Sequence, residues 1–199
     1  MMLLRAFAVA VLATAALPLA TAALPAAAEE ASAPAVLVPA GFEVPTLVEA
    51  KGFRLVPLGP PLVRIDYDAY MSSVEHLQAT FTRSKDWPHA GITDADAMKD
   101  METEQARFAK RTSFAYAVLT PDGTRERGCV YVYPSTVKGY DAVVRMWVTK
   151  AEHDAGFERE LLAWTKSWIA REWPFSSVAY PGYDIAWPKW DAMVSAKAR

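Results

Sequence analysis

The clearest alternation of apolar and polar positions lies in the C-terminal part of the chain. Val143–Val148 is an apolar run rich in β-branched and aromatic residues, which is typical of a strand. After a polar turn at Thr149–Asp154, apolar residues recur three and four positions apart and predict an amphipathic helix that ends before Pro174. Ser177–Tyr180 then predicts a second short strand. This order predicts a βαβ unit with two parallel strands.

Two further helices are predicted upstream of this unit. Asp66 is a residue type that caps helix N-termini, and apolar residues recur at helical spacing over residues 67–80. A second helix is predicted over Asp94–Lys110. Thr93, followed three positions later by Asp96, resembles a capping box at its start.

Strand patterns surround these helices. Phe53–Leu58 alternates enough to form a first strand, and Phe114–Leu119 and Gly128–Tyr133 flank a turn at Thr120–Gly123 that is typical of a hairpin. Strands joined by such short turns should be antiparallel. The sequence therefore predicts an α/β fold, in which a mixed, mostly antiparallel sheet of about five strands is flanked by helices.

The N-terminal region differs in composition from the rest of the chain. Met1–Arg5 carries one positive charge, the stretch up to Leu24 is apolar and rich in alanine, and Ala26–Ala28 has the small-residue form of a signal peptidase site. Residues 1–28 are therefore predicted to be a signal peptide cleaved near Ala28. This predicts a periplasmic or secreted protein with no stable membrane insertion after cleavage. An uncleaved anchor is the alternative, because the apolar run is nearly long enough to span a bilayer.

The remaining chain divides into a linker and one domain. Residues 29–51 are rich in alanine and proline and predict an extended linker, and residues 52–199 form the predicted domain. With 199 residues and 52% hydrophobic content, the chain suits one ordinary domain with a substantial core. A net charge of -2 does not favour nucleic acid as a partner. Cys129 is the only cysteine, so an internal disulfide is excluded, and no metal site is predicted.

Several polar residues at strand positions are candidates for a site. Arg145 lies inside an apolar strand, where an unpaired charge is unfavourable, so either a carboxylate partner or a ligand is expected. Asp141 or Glu126 could be that partner. Tyr131 and Tyr133 point to one face of the sheet, where they could line a substrate pocket or cap the core with their hydroxyl groups in water.

The predicted order of elements, from about Phe53 to Tyr180, resembles that of the GNAT superfamily of N-acyltransferases. The resemblance includes the turn at Pro121–Gly123, the strand Gly128–Tyr133, and Val148 where the chain enters the polar turn. It implies a GNAT-like fold and transfer of an acyl group from acetyl-coenzyme A, or another acyl-coenzyme A, to the amine of a small molecule or peptide. In that reaction the backbone amide of the Val148 strand would hold the oxyanion.

In the family, the turn after this strand carries Arg/Gln-x-x-Gly-x-Gly/Ala, whose backbone amides hold the pyrophosphate of the acyl donor. The matching cofactor-binding positions are His153, Ala155, Gly156 and Phe157, together with Val148. Gly156 is retained, whereas His153 replaces Arg/Gln and an acid replaces the last small residue. The acids in and around the turn are Glu152, Asp154 and Glu158. These acids have the same sign of charge as a diphosphate and would repel it, so the resemblance implies a degenerate coenzyme A loop.

The resemblance also implies two catalytic candidates. Glu126 could be a general base, as acids on central strands are in some relatives, although a surface acid of the hairpin is the alternative. The family continues with a helix that often carries a tyrosine as general acid, and then with two further strands. Tyr183 could occupy that place, and only Tyr183–Arg199 follow here. A noncatalytic periplasmic domain that binds a small ligand or peptide is the second interpretation, because an exported protein would not ordinarily meet acyl-coenzyme A.

Overall fold

The computed structural model describes residues 36–197, and a six-stranded sheet lies at the centre of this part of the chain. The strands are β1 (Val48–Ala50), β2 (Phe53–Pro57), β3 (Phe114–Leu119), β4 (Glu126–Pro134), β5 (Ala142–Val148) and β6 (Val178–Ala179). They lie side by side in chain order; β1 to β5 pair antiparallel, and β6 pairs parallel to β5. The mixed, mostly antiparallel sheet is therefore confirmed, with one strand more than expected. The predicted signal peptide lies outside the described residues.

Helices cover both faces of this sheet. They are α1 (Val63–Met71), α2 (Val74–Leu77), α3 (Asp94–Ala109), α4 (Lys150–Asp154), α5 (Phe157–Glu172) and α6 (Trp187–Lys197). The capping box before α3 is confirmed: the Thr93 hydroxyl accepts from the Asp96 amide, and the Asp96 carboxylate accepts from the Thr93 amide. α5 ends before Pro174, as predicted. None of the helices between residues 36 and 197 is both long and apolar enough to cross a membrane.

The prediction that Asp66 caps a single helix over residues 67–80 is wrong. A 3₁₀ turn at Pro60–Leu62 leads directly into α1, which therefore begins before Asp66. The two prolines at its start favour this early beginning, because proline is well suited to the first turn of a helix. Asp66 consequently lies inside α1 and is buried. The helix stops at Ser72, and α2 continues into a π-helical turn at Gln78–Thr82.

Side chains of the central strands alternate between two apolar cores, one on each face of the sheet. Under α5, the strands contribute Phe53, Leu55, Phe114, Tyr116, Val130, Val132, Val144 and Met146. Under α1 and α3, they contribute Ala115, Ala117, Leu119, Cys129, Tyr131 and Trp147. The sheet is therefore the middle layer of three.

Residues 36–50, assigned from composition to the linker, lie against this sheet. Val38 is buried in the core under α5, and β1 pairs with β2. The Tyr116 hydroxyl donates a hydrogen bond of 2.9 Å to the carbonyl of Pro45. In the described part of the chain, the packed structure thus includes the segment that precedes Gly52.

A β-bulge near the start of β4 changes which side chains share a face. Val118 pairs with Gly128, but Leu119 pairs with Glu126, so Arg127 is the extra residue. The bulge turns Glu126 to the face that also carries Cys129. Gly128 is required beside it, because an added Cβ would lie 2.0 Å from the carbonyl oxygen of Trp147.

The two parallel strands meet only at one end. Ala142 pairs with Val178 and Val143 with Ala179, and the rest of β5 runs on beyond the end of β6. The amide of Thr149 donates to the carbonyl of Arg127 in β4. Because successive amides of a strand point to opposite edges, the Val148 amide points to the edge that β6 leaves open.

Candidate functional site

A cleft of about 260 Å³ opens beside β5, where its pairing with β6 stops. Its walls come from β5, the start of α5, the turn that follows α2, and the chain between β6 and α6. The lining residues that carry functional groups or ring surfaces include Phe81, Arg145, Glu158, Tyr183 and Trp187. The structure thus brings two predicted site residues, Arg145 and Tyr183, into one cavity.

A chain of hydrogen bonds runs from the cleft to the polar turn. The Tyr183 hydroxyl donates to Glu158 Oε1 at 2.7 Å, and Glu158 Oε2 lies 2.6 Å from His153 Nδ1. The ring of His76 lies against that of His153, with 4.8 Å between their centroids. Burial, followed by the hydrogen bond to Glu158, raises the pKa of Tyr183 above its ordinary value, so the hydroxyl keeps its proton at neutral pH. The carboxylate of Glu158 therefore joins a predicted catalytic residue to a predicted cofactor-binding residue.

Of the two alternatives predicted for Arg145, a carboxylate partner and a ligand, the described residues do not supply the first, and neither Asp141 nor Glu126 pairs with it. Asp141 instead accepts hydrogen bonds from the amides of Ser176 and Ser177. Within residues 36–197, no acid forms a salt bridge with Arg145. Its guanidinium donates to the carbonyl of Phe81, whereas its buried Nε has no partner there. Burial lowers the pKa of Arg145, which reflects the loss of water around the charge.

Most of the backbone amides that were candidates for cofactor binding donate hydrogen bonds within the polar turn and the residues directly after it. The amides of His153, Ala155 and Gly156 donate to the carbonyls of Thr149, Ala151 and His153, at 2.9, 3.1 and 2.9 Å. Gly156 adopts a left-handed conformation with φ of 84°, which ends α4 and lets α5 begin. Phe157 is buried in the core, and the Arg127 guanidinium lies 3.4 Å from its ring centroid.

The acids of this turn are each bound to a basic side chain. Glu152 accepts from Arg125 at 2.8 Å and from Arg127 at 2.6 Å, and Asp154 accepts from Lys150 at 2.5 Å. Burial favours the neutral form of Glu152, but the hydrogen bonds from the two arginines outweigh it and hold its pKa below the ordinary value. The net negative charge that a diphosphate would meet at this turn is therefore smaller than the sequence suggests.

A second group of polar side chains is buried between α1 and β4. The Cys129 thiol donates to Glu126 Oε1 at 3.0 Å and lies 3.7 Å from Asp66 Oδ1. Potential ligand atoms of these three residues all lie within 4.8 Å of one another. Burial raises the pKa of Asp66 to about 7. Burial and the charge of Asp66 also raise the pKa of Glu126.

Glu126 and Tyr183, the two catalytic candidates, line different cavities. Glu126 borders a cavity of about 360 Å³ near the β3–β4 turn, whereas Tyr183 borders the cleft beside β5. Glu126 is only 2% exposed, so it is not a surface acid of the hairpin. Sequence reasoning missed Asp66 as its neighbour. The available signal was the spacing from Asp66 to the apolar residues Ala69 and Tyr70, which places all three on one helix face.

Tyr131 and Tyr133 stack on each other, with ring centroids 5.6 Å apart. Tyr131 is buried beneath Phe81 and accepts a hydrogen bond of 3.2 Å from Trp147 Nε1. Tyr133 is half-buried. Both rings therefore pack in the core under α1 and α3, and the Tyr131 hydroxyl meets Trp147 there and not water, unlike in the capping role that the strand pattern allowed.

The described fold is similar to solved acetyltransferase structures. A ribosomal-protein-S5-alanine acetyltransferase from Vibrio fischeri is 14% identical and matches with a TM-score of 0.51, over 64% of this chain and 67% of that one. A Vibrio cholerae protein, provisionally described as a ribosomal-protein-serine acetyltransferase, is 12% identical with a TM-score of 0.50, over 63% and 67%. A spermidine N-acetyltransferase from Vibrio cholerae, in complex with coenzyme A and spermine, is 9% identical with a TM-score of 0.44, over 60% and 64%.

The first two of these structures establish the class of fold. No model of a known protein family matches the sequence, and neither does any curated protein. The chain has the fold of the GNAT acyltransferases, which confirms the fold that the sequence resemblance implied. At such low identities a shared fold does not by itself carry over an activity.

Proposed function

We propose that this protein is an N-acyltransferase that uses acetyl-coenzyme A or another acyl-coenzyme A and acts in the cleft beside β5. The observation that carries the proposal is the hydrogen bond from the Tyr183 hydroxyl to Glu158 inside this cleft. This pair places a proton donor and a proton acceptor beside the part of the β5 edge that does not pair with β6. The similar structures described as acetyltransferases support the same reaction class.

The residues present fit the acyl end of such a donor. The open edge of β5 can pair with an extended amide chain, and the cleft beside it carries Tyr183. The amides of His153, Ala155 and Gly156 donate within the turn, so we assign none of them to the diphosphate. The donor, when bound, supplies the activated thioester.

The chain's own residues can manage the protons of amide formation, which removes one proton from the amine and delivers one to the thiolate leaving group. The Glu158 carboxylate can accept the proton of the amine, and the Tyr183 hydroxyl can give its proton to the sulfur. Their hydrogen bond then returns a proton from Glu158 to Tyr183, so both groups end unchanged. The Val148 amide, which points to the open edge of β5, can stabilise the oxyanion.

Replacing Tyr183 with phenylalanine should lower kcat by about a hundredfold, in line with the usual contribution of a positioned acid. KM for the donor should change little, because the ring that lines the cleft remains. The measurement is release of free thiol from acetyl-coenzyme A in the presence of a panel of amines. Tyr140→Phe, outside the cleft, is the matched control and should leave kcat unchanged. Equal activity of the Tyr183→Phe enzyme would contradict the assigned role, and no thiol release with any amine would contradict the proposed function.

We also propose, on the composition of residues 1–28, that the protein is exported, in which case the proposed reaction requires a supply of acyl-coenzyme A outside the cytoplasm. Fractionation of cells that produce the full chain should recover the protein in the periplasm or medium, with a mass that matches cleavage near Ala28. Ala28→Leu should block cleavage there, because the site requires a small residue. Recovery of the intact chain from the cytoplasm would contradict export and place the protein where acyl-coenzyme A is made.

A further inference from the structure

We infer that Arg145 binds the carboxylate of the acceptor, so that the substrates are small amines that also carry a carboxylate, with amino acids as the simplest case. The inference rests on the proposed acyl transfer and names its acceptor class. Its basis is the half-buried side chain of Arg145, which borders the cleft, has a buried Nε without a hydrogen-bond partner, and forms no salt bridge with an acid among residues 36–197.

In the described part of the chain, the groups in direct contact with the Arg145 guanidinium are two aromatic rings and a carbonyl, not an acid. The ring of Phe81 lies 4.4 Å from the guanidinium carbon, and that of Trp187 lies 5.4 Å from it. These two rings and the Phe81 carbonyl hold the group in place, but none of them carries a negative charge. A guanidinium shielded from water gains most from a planar carboxylate, which can accept two hydrogen bonds from it.

The other charged and titratable groups around Arg145 do not supply that carboxylate. Tyr133 and Tyr183 have raised pKa values because of burial, so both are neutral at pH 7. Arg83 has the same charge as Arg145 and is paired with Asp191 at 2.8 Å. Among the described residues, the two nearby acids are thus engaged elsewhere, Asp191 by Arg83 and Glu158 by Tyr183 and His153, and neither forms a salt bridge with Arg145, which leaves its guanidinium able to bind an anionic ligand.

Glu158 gives the cleft an opposite charge at a second point. It borders the same volume of about 260 Å³ as Arg145 and is held by Tyr183 and His153. A small molecule with a carboxylate and an amine can therefore place the first group on Arg145 and the second beside Glu158, where the proposed proton transfer begins. Beyond Arg145 and Trp187, a second cavity of about 400 Å³ adjoins the cleft and can take a side chain.

The test compares ligands that differ only in the carboxylate. Binding of N-acetylalanine and of N-acetylalanine amide to the mature protein is measured by calorimetry, followed by N-acetylamino acids with larger side chains. We expect the acids to bind about tenfold to a hundredfold more tightly than their amides, as expected for hydrogen bonds between charged groups. Equal binding of each acid and its amide, or binding of neither, would overturn the inference.

Variants of Arg145 test whether this residue causes the preference for the acid over its amide. Arg145→Gln should abolish the preference for the acid, whereas Arg145→Lys should keep part of it and also serves if the glutamine variant fails to fold. Arg64→Gln, at an exposed pair with Asp68 in α1, should leave the preference unchanged. A preference that survives in folded Arg145→Gln would place the carboxylate elsewhere. Because binding is measured without an acyl donor, carboxylate binding with no acyl transfer would contradict the proposed function alone, and transfer to amines without carboxylates would contradict this inference alone.

Discussion

The free energy of unfolding should fall by roughly 3 kcal/mol between pH 4 and pH 7 because of the raised pKa of Asp66, and Asp66→Asn should reduce that fall. The ordinary pKa of this carboxyl is 3.8, and burial raises it to about 7 in the folded protein. Between these values the unfolded chain has lost the proton while the folded chain keeps it. The folded state binds more protons, so stability is greatest at the acid end of this window and decreases as pH rises.

Urea unfolding of wild type and variant across this pH range measures the difference directly. Glu126 has a raised pKa as well, so Asp66→Asn should reduce the pH dependence and the double variant with Glu126→Gln should reduce it further. Asp68→Asn is the matched control, because Asp68 lies in the same helix but is exposed and paired with Arg64. It should change stability by less than about 1 kcal/mol. Parallel pH profiles for wild type and Asp66→Asn would show that Asp66 is ionised in the folded state.

The same acid shows why sequence patterns predict elements better than they predict sites. β3, the middle of β5 and α5 were predicted because each pattern reports on residues that are close in sequence. Asp66 matches the local pattern of a cap, but a second local signal, the two prolines at positions 60 and 61, starts the helix earlier. The two signals compete, and sequence alone does not rank them.

Glu126 and Arg145 show a second reason why sequence patterns predict sites less well than elements. The face on which Glu126 lies depends on the bulge at Arg127, a feature of strand pairing that no residue pattern announced. The environment of Arg145 comes from Phe81, which is far away in sequence, and from Trp187 in a helix that follows β6. Such contacts depend on the tertiary arrangement. The resemblance to a family predicts Tyr183, but it gives Glu158 only as an obstacle to a diphosphate, and the contact between the two residues comes from the tertiary arrangement.

A fully buried tryptophan in α5 is where we expect the largest effect of a single core substitution. Trp168 is 0% exposed and contacts three aromatic rings, with centroid distances of 5.4 Å to Trp164 and 5.5 Å to both Tyr116 and Trp173. Its Nε1 donates to Glu172 at 3.1 Å. Trp168→Ala removes the whole ring and leaves a cavity that β3 and α5 can only partly close. The free energy of unfolding should fall by about 3 to 5 kcal/mol.

The control for this substitution is one helical turn away. Trp164→Ala removes a ring of the same size, but Trp164 is only half-buried at the margin of the same core, where it packs edge-on against Phe53 at 5.0 Å. Because water can enter the space left there, the loss should be about 1 to 2 kcal/mol, smaller than that for Trp168. Urea unfolding at one pH compares the two variants. Equal losses would mean that α5 is anchored by its outer tryptophan as much as by its inner one, and that the aromatic core beneath it contributes no more than ordinary burial.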